Sequence, residues 1–180
     1  FNFLEDNSII KTNPFNKLKF KFKQEKKLPK TLQKNEVKKL LETAYNELNS
    51  SKTTYKKFET IRNISLLEIL ISTGIRIQEA SLITLNDISL QEKTIIIHGK
   101  GRKERQLFIL NKYVLSSLKN WLTIRKSSSP KCNNIFINKY GNPLSIHSIE
   151  NIFRKYKTLS NINIKATPHY LRHTFATNLL

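Results

Sequence analysis

The chain has 180 residues, of which 32 are Lys or Arg and 13 are Asp or Glu, so its formal net charge is +19. This length accommodates one domain with a full hydrophobic core, and the 38% hydrophobic and 9% aromatic residues exclude a disordered basic tail. A single cysteine, Cys132, excludes an internal disulfide. Since neither a secretion signal nor a membrane span is recognisable, we expect a cytoplasmic protein without membrane partners.

Residues 1–30 are predicted to be a remnant of an upstream domain and a basic interdomain linker. Residues 17–23, KLKFKFK, alternate apolar and basic side chains, as is typical of an extended segment. Between residues 17 and 39, ten lysines oppose only Glu25 and Glu36. This stretch predicts either a surface that follows a phosphate backbone or a solvated linker. Because methionine is absent and the last helix lacks a cap, we expect a chain cut at both ends.

Three helices are predicted between residues 33 and 82. Apolar spacing of i, i+3, i+4 and i+7 predicts an amphipathic helix over 33–49. A more apolar helix over 54–73 is expected to lie at the centre of the core, and Gly74 is predicted to end it in a left-handed conformation. A short helix over 76–82 follows directly.

The pattern then changes to strands. The β-rich runs at 88–90, 94–97 and 106–109 predict a small three-stranded antiparallel sheet. The rest of the chain predicts, in order, a helix from Asn111 to about Lys126, a short strand over 135–137, a helix capped by Ser145, and a helix that opens with Thr167 and Pro168. The expected fold class is therefore α+β and mainly helical.

Two basic residues lie close to glycines. Arg76 opens a helix directly after Gly74, and Glu79 lies three residues further on the same face, where its carboxylate would orient the guanidinium. An exposed ion pair at a helix start is the alternative. Lys100 lies between Gly99 and Gly101, where a tight turn lets a long ammonium side chain reach outward and protonate a leaving oxygen. A charged solvent-exposed turn is the alternative here.

His169 and Arg172 fall in the first turn of the last predicted helix. Free backbone N–H groups and the helix dipole already favour an anion there, so the pair predicts a phosphate clamp. His169 and His173 have half the spacing of a zinc helix, but the accompanying glutamate and a third ligand are missing, so we expect no metal. Together with Arg76 and Lys100, these residues suggest phosphoryl transfer without a metal ion.

Three strings in this order resemble the tyrosine recombinase (phage integrase, Xer-like) family. They are residues 73–79 (TGIRIQE), 98–105 (HGKGRKER) and 169–177 (HYLRHTFAT). The resemblance extends over about residues 31–180, which it identifies as the catalytic domain. It implies site-specific DNA recombination in which a tyrosine cuts one strand of duplex DNA through a 3′-phosphotyrosyl intermediate. No cofactor is implied.

The resemblance also implies a role for each candidate site residue. Arg76 and Arg172 would hold the non-bridging oxygens of the scissile phosphate. Lys100 would be the general acid for the 5′-oxygen, and His169 would assist proton transfer. Glu79 would be a supporting residue. Fixed guanidinium groups suit this chemistry because charge accumulates on the phosphate oxygens in the transition state.

The sequence departs from the family pattern after the His-x-x-Arg motif. In the family a His or Trp and then the nucleophilic tyrosine follow that motif, and neither occurs in residues 173–180. We therefore predict that this chain alone does not cleave DNA, although some relatives donate the tyrosine from a neighbouring subunit. The family implies other recombinase subunits on paired DNA sites, whereas this chain by itself is expected to be a monomer.

Two other readings of the sequence stay open. One is a non-catalytic remnant of an integrase that binds duplex DNA. The other is a type IB topoisomerase, which resembles the same set of active-site residues. For the protein in either case we expect a cytoplasmic location, associated with the nucleoid. All of these readings predict binding to duplex DNA.

Overall fold

The computed structural model of the chain describes residues 1–15, 30–99, 103–162 and 165–178. The helices are α1 (Asn2–Asp6), α2 (Lys34–Ser50), α3 (Thr54–Thr73), α4 (Ile77–Leu82), α5 (Lys112–Ser127), α6 (Ile146–Leu159) and α7 (Pro168–Asn178), and a 3₁₀ turn spans Leu85–Asp87. The strands are β1 (Ile88–Ser89), β2 (Thr94–His98) and β3 (Glu104–Phe108). The predicted α+β, mainly helical fold class is confirmed. The basic run at 17–23 lies outside the described residues.

Helix α3 forms the centre of the core, as its apolar sequence predicts. It packs against α2, α5 and α7, and its second half is buried almost continuously. The Thr53 hydroxyl caps its beginning by accepting a hydrogen bond from the Lys56 N–H at 3.2 Å. Gly74 ends it in the predicted left-handed conformation, with φ of 60°.

Helices α2, α4, α5 and α7 contact α3 directly. Helix α2 buries Leu40 and Ala44, and α6 packs against both α2 and α4. The predicted caps of α5 and α6 are confirmed, since Asn111 accepts a hydrogen bond from the Tyr113 N–H and Ser145 accepts one from the Ser148 N–H.

The three strands form an antiparallel sheet in the order β1-β2-β3, as predicted. The predicted bounds of the third strand were wrong, because pairing with β2 begins at Glu104 rather than at residue 106. The N–H of Gly99 donates to the carbonyl of Lys103 at 2.7 Å, which brings His98 opposite Glu104 as the first pair next to the turn.

The short strand predicted over 135–137 does not form; within the described residues, Ile137 makes only an isolated bridge, to Pro143. Side chains of neighbouring helices bind the carbonyls of this segment instead. The Trp121 indole N–H donates to Ile135 O at 3.0 Å, and the buried Arg62 guanidinium donates to Ile137 O at 3.0 Å. These backbone groups are therefore satisfied without a partner strand.

Helix α7 is attached to α3 and to the segment that precedes α2. The buried Thr174 hydroxyl accepts a hydrogen bond from the Leu32 N–H at 2.8 Å, and Leu171 is buried in the core. Helix α1, in contrast, contains no buried residue. No helix in the described parts of the chain is long and apolar enough to cross a membrane.

Candidate active site

The end of α3 and the beginning of α7 meet at Gly74. A Cβ atom at this position would lie 2.4 Å from the ring of Phe175, so only a glycine lets α7 approach the backbone this closely. Arg172 of α7 donates a hydrogen bond from Nη1 to the Gly74 carbonyl at 2.7 Å. Because Arg76 follows Gly74 by two residues as the N-cap of α4, the two arginines predicted to act together are held at one corner of the fold.

Glu79 organises this corner from the first turn of α4. One carboxylate oxygen accepts a hydrogen bond from the Arg76 backbone N–H at 2.8 Å, which caps the helix. The other oxygen accepts from the Arg76 guanidinium at 3.1 Å. Arg105 of β3 donates to both oxygens, at 3.0 and 2.7 Å. The pairing of Arg76 with Glu79 is therefore not the exposed helix-start pair that spacing alone allowed, because Glu79 is only 7% exposed.

The Glu79 carboxyl is held in its ionised form. Burial alone would raise its pKa, but the hydrogen bonds from Arg105 and from the Arg76 backbone outweigh burial and lower the pKa to about 2. A carboxylate that stays charged down to this pH is a firm anchor for the two guanidinium groups throughout the neutral range.

The corner keeps an excess of positive charge. Burial lowers the pKa of Arg172, and the nearby positive charge of Arg76 lowers it further. An arginine stays protonated in proteins, so three guanidinium groups face one carboxylate in this neighbourhood. The Arg76 side chain is 53% exposed, so part of its planar donor edge is accessible. Guanidinium donors in this arrangement suit an anion with two charged oxygens, such as a phosphate diester.

A cleft of about 610 Å³ opens beside Arg76 and Glu79. Its other lining residues are Gln78, Leu82, His98 and Gly99. Gly99, which precedes Lys100 in the sequence, thus lies at the wall of the cleft. Lys100 itself lies outside the described residues. His169 is exposed in the first turn of α7, three residues before Arg172.

Sequence reasoning assigned no role to Arg105 and His98. Arg105 shares a strand face with Leu107 and Ile109, both turned towards the core, so an arginine in that alternation indicates a buried anionic partner. The partner is Glu79. His98 lies on the exposed face of β2. In the sequence its position next to Gly99 did not indicate a function. Among the described residues, no three His, Cys, Asp or Glu side chains converge as a metal site.

Comparison with known proteins gives matches over most of the chain. The model of the phage integrase family matches residues 30–180. A tyrosine recombinase of Agathobacter rectalis is 42% identical over 180 residues, which cover all of this chain and 59% of that protein. The chain thus spans less than two thirds of the length of this relative.

Two solved structures have a similar fold. The crystal structure of XerA recombinase matches with a TM-score of 0.71 and 26% identity, covering 85% of this chain and 51% of that one. XerH site-specific recombinase, solved as a pre-cleavage complex with its difH substrate, matches with a TM-score of 0.70 and 30% identity. That match covers 85% of this chain and 43% of the XerH chain.

Proposed function

This chain belongs to the phage integrase family, and on that premise we propose that it is the catalytic part of a tyrosine-type site-specific DNA recombinase. Residues 31–180 are the catalytic domain in this proposal. Residues 1–30 are the end of a preceding domain and a basic linker. The type IB topoisomerase alternative is less favoured, because the relatives that match the whole chain are tyrosine recombinases.

One observation carries the proposal, namely the corner at which Arg76 and Arg172 meet. Gly74 and Arg172 are 98 residues apart in sequence and yet share a hydrogen bond of 2.7 Å. Glu79 is the one carboxylate that the described contacts give to the guanidinium groups of Arg76 and Arg105, and Arg172 lies beside them. The unbalanced charge and the exposed edge of Arg76 favour a bound phosphate.

The chemistry proposed for the corner is transfer of a phosphoryl group from a DNA strand to a tyrosine. The phenolic oxygen bonds to phosphorus, and the bond from phosphorus to the 5′-oxygen breaks. Arg76 and Arg172 bind the two non-bridging oxygens and stabilise the charge that develops on them. Lys100 gives a proton to the departing 5′-oxygen, and His169 assists proton transfer. Glu79 keeps the Arg76 guanidinium in place.

The tyrosine of this reaction is not among residues 173–180. We therefore propose that the 180-residue chain by itself binds duplex DNA and does not cut it. Its partners in the reaction are duplex DNA and other recombinase subunits on paired sites, so its place in the cell is with the nucleoid. The XerH structure, a recombinase bound to its DNA substrate, supports this choice of partner.

Binding of this chain to duplex DNA can be tested directly by fluorescence anisotropy. If about 6–10 phosphates are contacted, the affinity falls by about 10³–10⁵-fold between 50 and 200 mM salt, because each contact releases condensed counterions. An affinity that does not change with salt would contradict a DNA-binding role for the positive charge.

Catalysis requires a protein that contains the tyrosine. We would replace the matching residues of the Agathobacter rectalis recombinase by this chain and trap the covalent complex on a nicked DNA site of that enzyme. The hybrid is expected to form a phosphotyrosyl adduct, and Arg172→Ala is expected to abolish it. The matched control is Arg154→Ala, since this exposed arginine bonds only to Asn151 on its own helix among the described contacts.

The runner-up function is a DNA-binding remnant without catalytic capacity. The formal net charge of +19 favours it, because this charge by itself calls for DNA binding and for no chemistry. A hybrid that folds and binds DNA tightly but forms no adduct would establish this alternative and exclude the catalytic proposal.

A further inference from the structure

His98, at the end of β2, has a carboxylate next to each of its two ring nitrogens. Its Nε2 lies 2.8 Å from Oδ1 of Asp87 in the 3₁₀ turn, and its Nδ1 lies 3.1 Å from Oε1 of Glu104 in β3. Both distances are those of hydrogen bonds to charged groups. Asp87 and Glu104 are the charged groups that face His98 from the neighbouring elements among the described residues.

This geometry favours one protonation state of the ring, since Nε2 hydrogen-bonds to Asp87 and Nδ1 lies at ion-pair distance from Glu104. A neutral imidazole has one N–H donor, and its second nitrogen carries a lone pair that cannot bond to a carboxylate. Only the imidazolium ion donates from both nitrogens at once. Hydrogen bonding to Asp87, together with the negative charge of Glu104, accordingly raises the pKa of His98 above its ordinary value.

Asp87 is a fixed anchor for this imidazolium. Its Oδ2 accepts hydrogen bonds from the backbone N–H and from the hydroxyl of Thr84, both at 2.7 Å, so Oδ1 is left for His98. Burial alone would raise the pKa of Asp87, but the Thr84 N–H and His98 outweigh burial and lower it. The carboxylate is therefore ionised wherever the imidazole titrates.

Glu104, the other partner, connects His98 to the candidate active site. It is the first residue of β3, and the next residue, Arg105, binds Glu79 with both terminal guanidinium nitrogens. Glu79 in turn holds Arg76. The path from His98 to Arg76 thus runs through three residues, Glu104, Arg105 and Glu79, and His98 and Arg76 line the same cleft.

We propose that His98 is a positioning residue of the cleft that acts as an imidazolium, tying the Leu85–Asp87 turn to the start of β3 and adding a positive charge beside Arg76. Phosphate binding in the cleft then weakens as the imidazole loses its proton. The tie between the turn and β3 is independent of the function proposed above. The effect on phosphate binding rests on that function.

Stability is not the expected readout. The His98 side chain is 53% exposed, and exposed ion pairs contribute little to the free energy of unfolding. If His98 formed only a structural surface pair, its replacement would leave the pH dependence of DNA binding unchanged. The proposal requires that this dependence change when His98 is replaced.

The first arm of the test is an NMR titration of the four histidines in the 180-residue chain. His147 is the internal reference, because it is exposed on α6 and, among the described residues, has one paired carboxylate, Glu150, at 3.9 Å. His98 is expected to keep protons on both ring nitrogens above the ordinary histidine pKa of about 6.5. Glu104 is exposed, so Glu104→Gln is expected to leave the fold intact. In this variant the His98 titration is expected to shift to lower pH.

The second arm measures affinity for a short duplex between pH 6 and 9 at constant ionic strength. For the unchanged chain, titration of His98 is expected to contribute a loss of about 3- to 10-fold, the equivalent of about one phosphate contact. His98→Gln is expected to lose that contribution and His147→Gln to retain it. His169 and His173 are present in all three proteins, so their contribution cancels in the comparison.

Each outcome decides a separate claim. If His98 carries one ring proton just above the ordinary histidine pKa of about 6.5, the imidazolium tie is wrong. If the titration is as expected but His98→Gln and the unchanged chain show the same pH profile of affinity, the link to the cleft is wrong. If no form binds DNA, the proposed function fails, while the NMR arm still decides whether the tie exists.

Discussion

Glu47 on α2 and Glu79 on α4 are two mostly buried carboxylates in similar local settings. Their side chains are 17% and 7% exposed. Burial alone would raise the pKa of each, but hydrogen bonds from cationic donors outweigh it and lower both values to about 2. The two clusters differ in what their cations leave available for a ligand.

The cluster around Glu47 joins three helices. Lys155 of α6 donates to both carboxylate oxygens at 2.6 Å, and the neighbouring Tyr156 hydroxyl donates at 2.7 Å. Lys56 of α3 lies 2.9 Å from the same carboxylate. The Lys155 ammonium also lies 4.8 Å from the centre of the Tyr156 ring. These donors converge on Glu47 and hold α2, α3 and α6 together.

The cluster around Glu79 leaves donors unused. Arg105 occupies both carboxylate oxygens, so Arg76 contributes one guanidinium nitrogen and stays half exposed. A guanidinium group has five N–H donors in a planar fork, so it can bind a carboxylate with one edge and a phosphate with the other. A lowered carboxyl pKa therefore does not distinguish a functional site from a structural one, whereas spare donors at a cleft do.

The largest difference between the clusters is expected in catalysis. In the hybrid recombinase, Arg76→Ala is expected to slow strand cleavage by about 10²–10³-fold and to change DNA affinity only a few-fold, because the guanidinium acts mainly on the transition state. Lys155→Ala is expected to leave cleavage by folded protein within a few-fold. Single-turnover cleavage assays measure both. Equal losses of binding and cleavage in Arg76→Ala would make Arg76 a DNA anchor instead.

The Glu79 region depends on the close approach of α7 to Gly74, and the Glu47 region does not. Gly74→Ala places a Cβ against Phe175 at a φ of +60°. We expect it to lower the free energy of unfolding by about 2–4 kcal/mol, through backbone strain and overpacking. In a Phe175→Ala background the loss is expected to be about 1–2 kcal/mol smaller. Denaturant unfolding of the unchanged chain, the two single variants and the double variant gives these values. If the two losses are additive, residue 74 does not contact Phe175.

Removing either central carboxylate is expected to have a moderate effect on stability. Glu47→Gln and Glu79→Gln are each expected to lower the free energy of unfolding by about 1–2 kcal/mol, because cations lose a charged hydrogen-bond acceptor. Glu42→Gln on α2 is the matched control, since Glu42 is exposed and its pair with Lys38 is 3.6 Å long. The control is expected to change stability by less than about 0.5 kcal/mol. Equal losses of unfolding free energy in all three variants would show that the two buried carboxylates contribute no more than an exposed one.

The smallest expected effect is on the acid limb of the stability curve. A carboxyl with a lowered pKa stabilises the folded state above its unfolded pKa and loses that contribution as pH falls towards its folded pKa. For Glu47 and Glu79 this window runs from the ordinary pKa of 4.5 down to about 2. In Glu47→Gln the slope of unfolding free energy against pH should be shallower by at most about 1.4 kcal/mol per pH unit. An unchanged slope would show that Glu47 does not titrate in this window.

Local signals in the sequence predicted most of the fold. The predicted bounds of α3 agree with the structure at both ends. Gly74, Asn111 and Ser145 were identified because helix stops and caps depend on residues within one turn. The segment at 135–137 was misjudged as a strand because its carbonyls bind Arg62 and Trp121. Those residues lie on other elements and leave no local pattern.

The candidate site was predicted in part. The spacing of Arg76 and Glu79 predicted their pairing, but the second guanidinium on Glu79 depends on a strand that starts two residues earlier than its β-rich run. The meeting of Arg172 with the Gly74 corner is a long-range contact, which the family resemblance implied and the helical spacing did not. The tie made by His98 depends on two carboxylates from separate elements, so no motif in the sequence indicated it.

The most direct test of the comparison measures strand cleavage per folded molecule for Glu79→Gln and Glu47→Gln in the hybrid recombinase, at a temperature where both remain folded. Glu79→Gln is expected to cleave about 10- to 100-fold more slowly, because Arg76 loses its fixed position. Glu47→Gln is expected to cleave at the rate of the unchanged protein. Similar cleavage rates for the two variants would contradict the claim that Glu79, and not Glu47, holds a guanidinium in place for the scissile phosphate.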